Sequence, residues 1–393
     1  MRFDTTSDQL RECGSLKWTM YPDAIGMWIA EMDFGMPDVV ADTIEHSVTS
    51  GALGYATEAD HRNLKETTAA FQKNRFGWEI DPDNIAVFPD VLTGLRQMIR
   101  HLTKADSSVI IPTPAYMPFL TLPGEEGREV IQVPATRDSD GRLTKDLKAV
   151  DAAFAKGGRL LVLCNPCNPG GRVYTRDELT ALTSIVDYYG GRVFSDEIHS
   201  PLVLEGEHIP YASTSPAAAA HTVTAVSASK GWNMPGLKCA QIIFNDRDRE
   251  AFAPHLNAVT STVGSLGIRA TTAVYNDDGG WLDTVTDHLR GNRDLFEERI
   301  GQMPGISAEH IEGTYIGWID ARELAKRLRV ESGAYPEATR PVAADIIRER
   351  AGVALTGGAS CGKGFEDYAR MVLATPRPIL AQALDQIEEL ARS

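Results

Sequence analysis

Apolar residues in this chain follow two patterns, and their succession predicts an α/β fold. Short runs that stay apolar predict strands at Ile85–Phe88, Val109–Ile111, Val130–Val133, Leu160–Cys164, Arg192–Phe194, Val223–Val226 and Ala240–Phe244. Other stretches repeat apolar positions every three or four residues and predict helices: Asp38–Val48, Asn63–Phe76 closed by Gly77, Leu92–Leu102, and Thr175–Tyr188 with Thr175 as cap. Strands without polar alternation are buried on both faces, so the alternation of strand and helix implies a mostly parallel sheet covered on both sides. Beyond Asn276 the pattern shifts to a helix over Trp281–Ile300, a strand over Tyr315–Ile319 and helices over Ala343–Ala351 and Ile379–Leu390. This reads as a smaller α+β domain. Residues 1–26 are irregular, and M-W-I-A-E-M-D-F-G-M-P (Met27–Pro37) is an apolar stretch closed by turn residues. The polar segment Glu331–Arg340 reads as a mobile loop.

Length sharpens this picture. A chain of 393 residues is too long for one compact core,. The expected division is an N-terminal segment, 1–46, packing with the small domain; a large domain, 47–285; and a C-terminal small domain, 286–393. The net charge of −15, with acids and bases interspersed, argues against nucleic acid or an anionic membrane as partner,. No run of about 18 apolar residues occurs, so no membrane span is expected. The N-terminus lacks a signal peptide's apolar core, and five sparse cysteines suit reduced thiols, so the expected location is cytoplasmic,. Cys164 and Cys167 form a lone C-x-x-C without a second ligand pair, which argues against a metal site,.

Candidate chemistry gathers at three strand ends. After L-L-V-L-C comes N-P-C-N-P-G-G (Asn165–Gly171), whose asparagine amides can point at a ligand,. S-D-E-I-H sets Asp196 directly after an apolar strand, where a carboxylate is costly to bury and expects a cation,. S-A-S-K-G-W-N-M-P-G-L-K carries Lys230 just past a β-branched strand, at the sheet edge where open α/β sheets bind ligands,. Alone, Lys230 is a solvated lysine, a phosphate contact or a Schiff-base amine. With an asparagine and an aspartate on neighbouring strand ends, the set makes a coherent site for pyridoxal phosphate. The helix start Asp90–Leu95 suits a phosphate dianion. Ser227, Ser229 and Lys238 offer further donors, and Tyr116 a stacking face.

These motifs, in this order and nearly end to end, resemble the fold-type I pyridoxal phosphate enzymes of the class I/II aminotransferase group. More narrowly, the chain resembles the MalY/PatB-type C–S lyases. Further marks are Gly54–Tyr55, P-T-P-A-Y-M-P-F and Y-A-R-M-V-L-A-T-P-R. The resemblance implies the aspartate aminotransferase-like fold, a large domain with a mostly parallel seven-stranded sheet beside a small α+β domain. It makes Lys230 the covalent anchor and proton carrier, Asp196 the partner of the pyridine nitrogen, Asn168 a contact to the ring oxygen and Tyr116 the stacking ring. Val91 and Leu92 would give phosphate amides, joined by Ser227, Ser229 and Lys238. Tyr55 would reach the neighbouring subunit's cofactor phosphate, which implies a homodimer. Arg370 would bind the substrate α-carboxylate. Asp90 stands where a small residue is commoner, Ser200-Pro201 where an acid is frequent, and His199 where many aminotransferases have tyrosine. His199 is thus either a cofactor contact or a structural hydrogen-bonding group. V-L-A-T-P-R replaces a more frequent asparagine-containing run after the arginine.

The implied activity is α,β-elimination of cystathionine or related cysteine S-conjugates to a thiol, pyruvate and ammonia. Homocysteine as that thiol would serve methionine biosynthesis. The same residues support transamination, and a catalytically weak regulatory protein is the alternative of another class. G-G-A-S-C-G-K-G (Gly357–Gly364) lacks the hydroxyl residue of a phosphate loop after its lysine and reads as a small-domain loop,. Glu197, beside Asp196, alternates to the opposite face and reads as structural.

Overall fold

The computed structural model describes residues 2–332 and 341–393. The large sheet has seven strands: β1 (Ile85–Phe88), β2 (Ser108–Thr113), β3 (Val130–Pro134), β4 (Gly158–Cys164), β5 (Arg192–Asp196), β6 (Thr222–Val226) and β7 (Ala240–Ile243). Their order is β1-β7-β6-β5-β4-β2-β3. Every pairing is parallel except the two made by β7. Successive residues of one strand feed opposite cores. Val109, Leu160, Val162 and Phe194 pack with the helices Val91–Leu102 and Asp246–Thr260. Ile110, Leu161 and Val193 pack with Leu147–Ala155 and Arg176–Tyr188. Burial on both faces is why these strands carry no polar alternation.

Strand positions agree with the apolar runs to within two residues, and helix ends differ where the apolar period is silent. The helix expected over Asn63–Phe76 starts at Glu58, because Thr57 and Asp60 form a reciprocal capping box ahead of the apolar positions,. Gly77 closes it at φ 68, a left-handed conformation that favours glycine,. Helices at Met117–Glu125 and Asp246–Thr260 contain prolines, Pro123 and Pro254, that disguise them. Thr175 caps the helix Arg176–Tyr188 as expected.

A second, antiparallel sheet of β8 (Ser307–Ala308), β9 (Ile316–Asp320), β10 (Thr356–Gly357) and β11 (Tyr368–Val372) runs β8-β9-β11-β10. The N-terminal segment joins this half. Ile25–Gly26 pairs in parallel with Val353–Ala354, and the Val372 N–H donates to the Met27 carbonyl at 2.8 Å. A buried Lys17–Asp33 ion pair of 2.7 Å, with Trp18 Nε1 donating to the same carboxylate, fixes the turn leading out of it. The glycine-rich run Gly357–Gly364 is a turn whose Cys361 carbonyl accepts from the Ala115 N–H, so it docks beside P-T-P-A-Y. The segment Glu331–Arg340 lies outside the described residues, apart from the first two, which end the helix Arg322–Ser332. No helix among the described residues is long and apolar enough to cross a membrane.

Candidate active site

Parallel register brings the strand ends level. Cys164 faces Asp196 across β4–β5, and Asp196 faces Ala225 across β5–β6. The loops leaving these positions carry Asn168, His199 and Lys230. Lys230 lies on a single helical turn, Ala228–Gly231, which Ser227 caps by accepting from the Ser229 N–H. The Ser227 hydroxyl itself donates to the Cys239 carbonyl at 2.7 Å. The Ser229 hydroxyl makes no hydrogen bond among the described residues. Asn233 then ties the loop to the N-terminal segment through the backbone of Met32 and Gly35.

The Lys230 amine donates to the Ala30 carbonyl at 2.9 Å. Burial, with Arg370 nearby, draws it down to about 8. Asp196 moves the other way: burial pushes its carboxyl up to about 7, with Glu197 adding to the rise. Its hydrogen-bond donor is the Ile198 N–H at 3.1 Å. No ion pair among the described residues involves Asp196, and the charge that opposes the rise is Lys230.

Arg370, on β11, is the mirror case. It is buried, and its guanidinium donates to Asn168 Oδ1 (3.2 Å), the Trp28 carbonyl (3.0 Å) and Thr356 Oγ1 (3.3 Å). Its Nε is buried without a partner, and no carboxylate pairs with it among the described residues. The two Asn-Pro pairs divide by task. Asn165 is locked to the Tyr174 N–H and the Ile209 carbonyl, and Asn168 reaches Arg370. His199 is buried with Nδ1 unpartnered and its ring edge-on to Tyr315 at 5.7 Å. Burial, Lys230 and Arg370 hold that imidazole well below its usual value, hence neutral. Tyr116 is half-buried, edge-on to Phe119, and burial raises its phenol with Arg370 opposing.

At the far end of the cleft, the helix Val91–Leu102 opens toward the same region. Asp90 caps it by accepting from the Thr93 N–H at 2.8 Å and pairs with Lys238 at 3.2 Å. The N–H groups of Val91 and Leu92 have no protein acceptor among the described residues. Tyr55 stands apart, 98% exposed on the surface of the single chain. Glu197 is the structural hub expected of it, accepting from Ser195, the Tyr211 N–H and His208.

Sequence reasoning missed four contributors: the Ala30 and Trp28 carbonyls, Thr356, and Tyr315, whose hydroxyl donates to Ala30 at 3.0 Å. The first two belong to the M-W-I-A-E-M-D-F stretch, whose importance was visible as a motif although a carbonyl leaves no side-chain signature.

The chain belongs to the family described as Aminotransferase class I and II, whose pattern matches residues 22–387. It is similar to a cystathionine beta-lyase of Corynebacterium glutamicum, with 35% identity over 98% of this chain and 99% of the relative. Cystathionine beta-lyase PatB of Bacillus subtilis is 31% identical over 81% of this chain and 84% of its own length. A crystal structure from Corynebacterium diphtheriae, provisionally named a PLP-dependent beta-cystathionase, superposes with a TM-score of 0.89 at 33% identity. That match covers 99% of this chain and 98% of the other.

Proposed function

We propose that the chain is a pyridoxal phosphate-dependent carbon–sulfur β-lyase acting on cystathionine or related cysteine S-conjugates. The observation that carries the reading is the charge complement of the cleft: a buried carboxyl, Asp196, and a buried guanidinium, Arg370, neither of them in an ion pair among the described residues. Unpaired buried charge is destabilising unless a ligand supplies the partner. A protonated pyridine ring and an amino-acid carboxylate supply both, and the free amides of Val91 and Leu92 suit the cofactor's dianion. Lyase chemistry, rather than transfer of the amino group, rests on the near full-length similarity to cystathionine beta-lyases.

When bound, pyridoxal phosphate supplies an aldehyde that takes up an amino group and a ring that accepts the electrons freed at Cα. Lys230 would hold that aldehyde between turnovers, and its amine, which burial draws down to about 8, would remove the Cα proton as the general base,. Asp196 would keep the ring nitrogen protonated. Arg370 would grip the α-carboxylate, and its hydrogen bond to Asn168 would couple it to the contact that Asn168 makes with the ring oxygen,. Tyr116 covers the ring face, and neutral His199 and Tyr315 line the side from which Lys230 works. Ser229 and Lys238 join the phosphate contacts, Lys238 once released from Asp90. The thiolate leaves from Cβ, and the remaining fragment hydrolyses to pyruvate and ammonia.

Tyr55 belongs to the same reading: with Leu53 and Val48 also exposed, it is the residue through which a second copy completes the phosphate site. The domain division at about residues 46 and 285 and a cytoplasmic role in methionine biosynthesis are further parts of it; pairing of Ile25–Gly26 with Val353–Ala354 supports the first. The test is cystathionine supplied to the holoenzyme without keto acid. Continuous release of pyruvate and thiol is expected. A single stoichiometric conversion that halts until a keto acid is added would instead mark a transaminase, and no reaction with any amino acid a regulatory protein.

A further inference from the structure

The sheet edge opposite Lys230 and Asp196 holds a second concave site. The segments that lead into β2, β4, β5 and β6 and the one that leaves the reversed strand β7 enclose a cleft of about 620 Å³. That volume is in the range of small-molecule sites. Four cations from separate segments line it: Lys104, Arg159, Arg192 and Arg247. In a chain with 54 acids against 39 bases, such convergence is against the prevailing charge. Only Arg192 is ion-paired, to Asp248, and its Nε is buried with no hydrogen-bond partner. Arg159 donates to the Phe154 and Gly158 carbonyls, and no ion pair among the described residues involves Lys104, Arg159 or Arg247. Arg247 stands in the first turn of the helix Asp246–Thr260, between Asp246 and Asp248.

We propose that this cleft binds a small phosphorylated, hydroxyl-bearing metabolite. Guanidinium forks from two directions match phosphate oxygens bidentately. Asp106 and Asp187, on the same lining, are acceptors suited to hydroxyl donors on the remainder of the ligand,. The site is separate from the cofactor cleft, and its assignment does not depend on which reaction that cleft performs.

Titration calorimetry on the cofactor-loaded protein tests it, with ribose 5-phosphate as probe and citrate as an anion without phosphate. Saturable binding of ribose 5-phosphate is expected, with citrate at least about tenfold weaker. The Arg159→Gln/Arg247→Gln double variant should weaken it at least about tenfold, and so, to a smaller degree, should the exposed Lys104→Gln, with thermal midpoints unchanged. Absence of saturable binding, equal affinity in the variants, or citrate binding as tightly as the sugar phosphate would each overturn the assignment.

Discussion

Asp196 and Lys230 show how burial sets opposite charges moving toward each other, one up to about 7 and the other down to about 8. The folded-state value of Asp196 lies above its ordinary 3.8, so between pH 4 and 7 the folded cofactor-free protein binds more protons than the unfolded chain. Its stability therefore falls as pH rises through that window. Cofactor-free Asp196→Asn should be more stable than wild type at pH 7, by up to about 4 kcal/mol, with the difference shrinking to nothing near pH 4. Urea titrations across that range measure this, and a variant less stable at pH 7 would contradict it. Lys230 runs in the other sense: its lowered value makes the unfolded chain the better proton binder between pH 8 and 10, so it adds stability as pH rises there,. Lys230→Ala should abolish the visible absorption of covalently held cofactor and lower turnover by about 10³-fold or more. Survival of that absorption band would exclude Lys230 as the anchor.

The helix beginning at Val91 carries an unusual conflict among the elements. Its cap, Asp90, places a carboxylate where a phosphate dianion is expected, and it holds Lys238 in an ion pair. Asparagine caps as well as aspartate without the charge. Asp90→Asn should leave the thermal midpoint within about 2 °C and slow cofactor dissociation several-fold, read by dilution and loss of absorbance. Faster dissociation would show that Asp90 assists the phosphate rather than opposing it. A second element test lies at Gly267, where an added Cβ would stand 2.2 Å from the Leu237 carbonyl, one residue before Lys238. Gly267→Ala should destabilise by about 1–3 kcal/mol and loosen the cofactor together, since backbone rather than a flexible side chain must yield. At this scale the sequence was most informative where burial on both faces forced uninterrupted apolar runs, as at β4, β5 and β6, whose ends carry Asn168, Asp196 and Lys230. It was silent where the signal is backbone: the Ala30 carbonyl meets Lys230 across 200 positions, and no side-chain pattern announces such an acceptor. Helices interrupted by Pro123 and Pro254 were hidden for the opposite reason, because packing overrides a local preference,.

Across the whole molecule, the role proposed for the exposed Tyr55, beside Leu53, requires a second copy. Light scattering should give a dimer, and Tyr55→Ala should remain dimeric while losing cofactor affinity. Mixing refolded Tyr55→Ala with Lys230→Ala subunits, each nearly inactive alone, should restore about a quarter of wild-type activity, because each hybrid dimer regains one complete site. No recovery on mixing would mean that Tyr55 acts within its own subunit.

The stitching of Met27 and Trp28 to the last strand has a bearing on time. Trp28 and Arg370 are 342 positions apart, and the Ala30 carbonyl that receives Lys230 lies on the same early segment. At a synthesis rate of about 5–20 residues per second, that segment waits roughly 17–70 s for its partner strand to emerge. The large sheet is complete once Ile243 has been made, so over the last 140 positions of that interval a nascent chain carries Lys230 before β11 exists. The site of one chain is therefore assembled only once β11 has been made, because Arg370 and the strand that holds Trp28 in place come last.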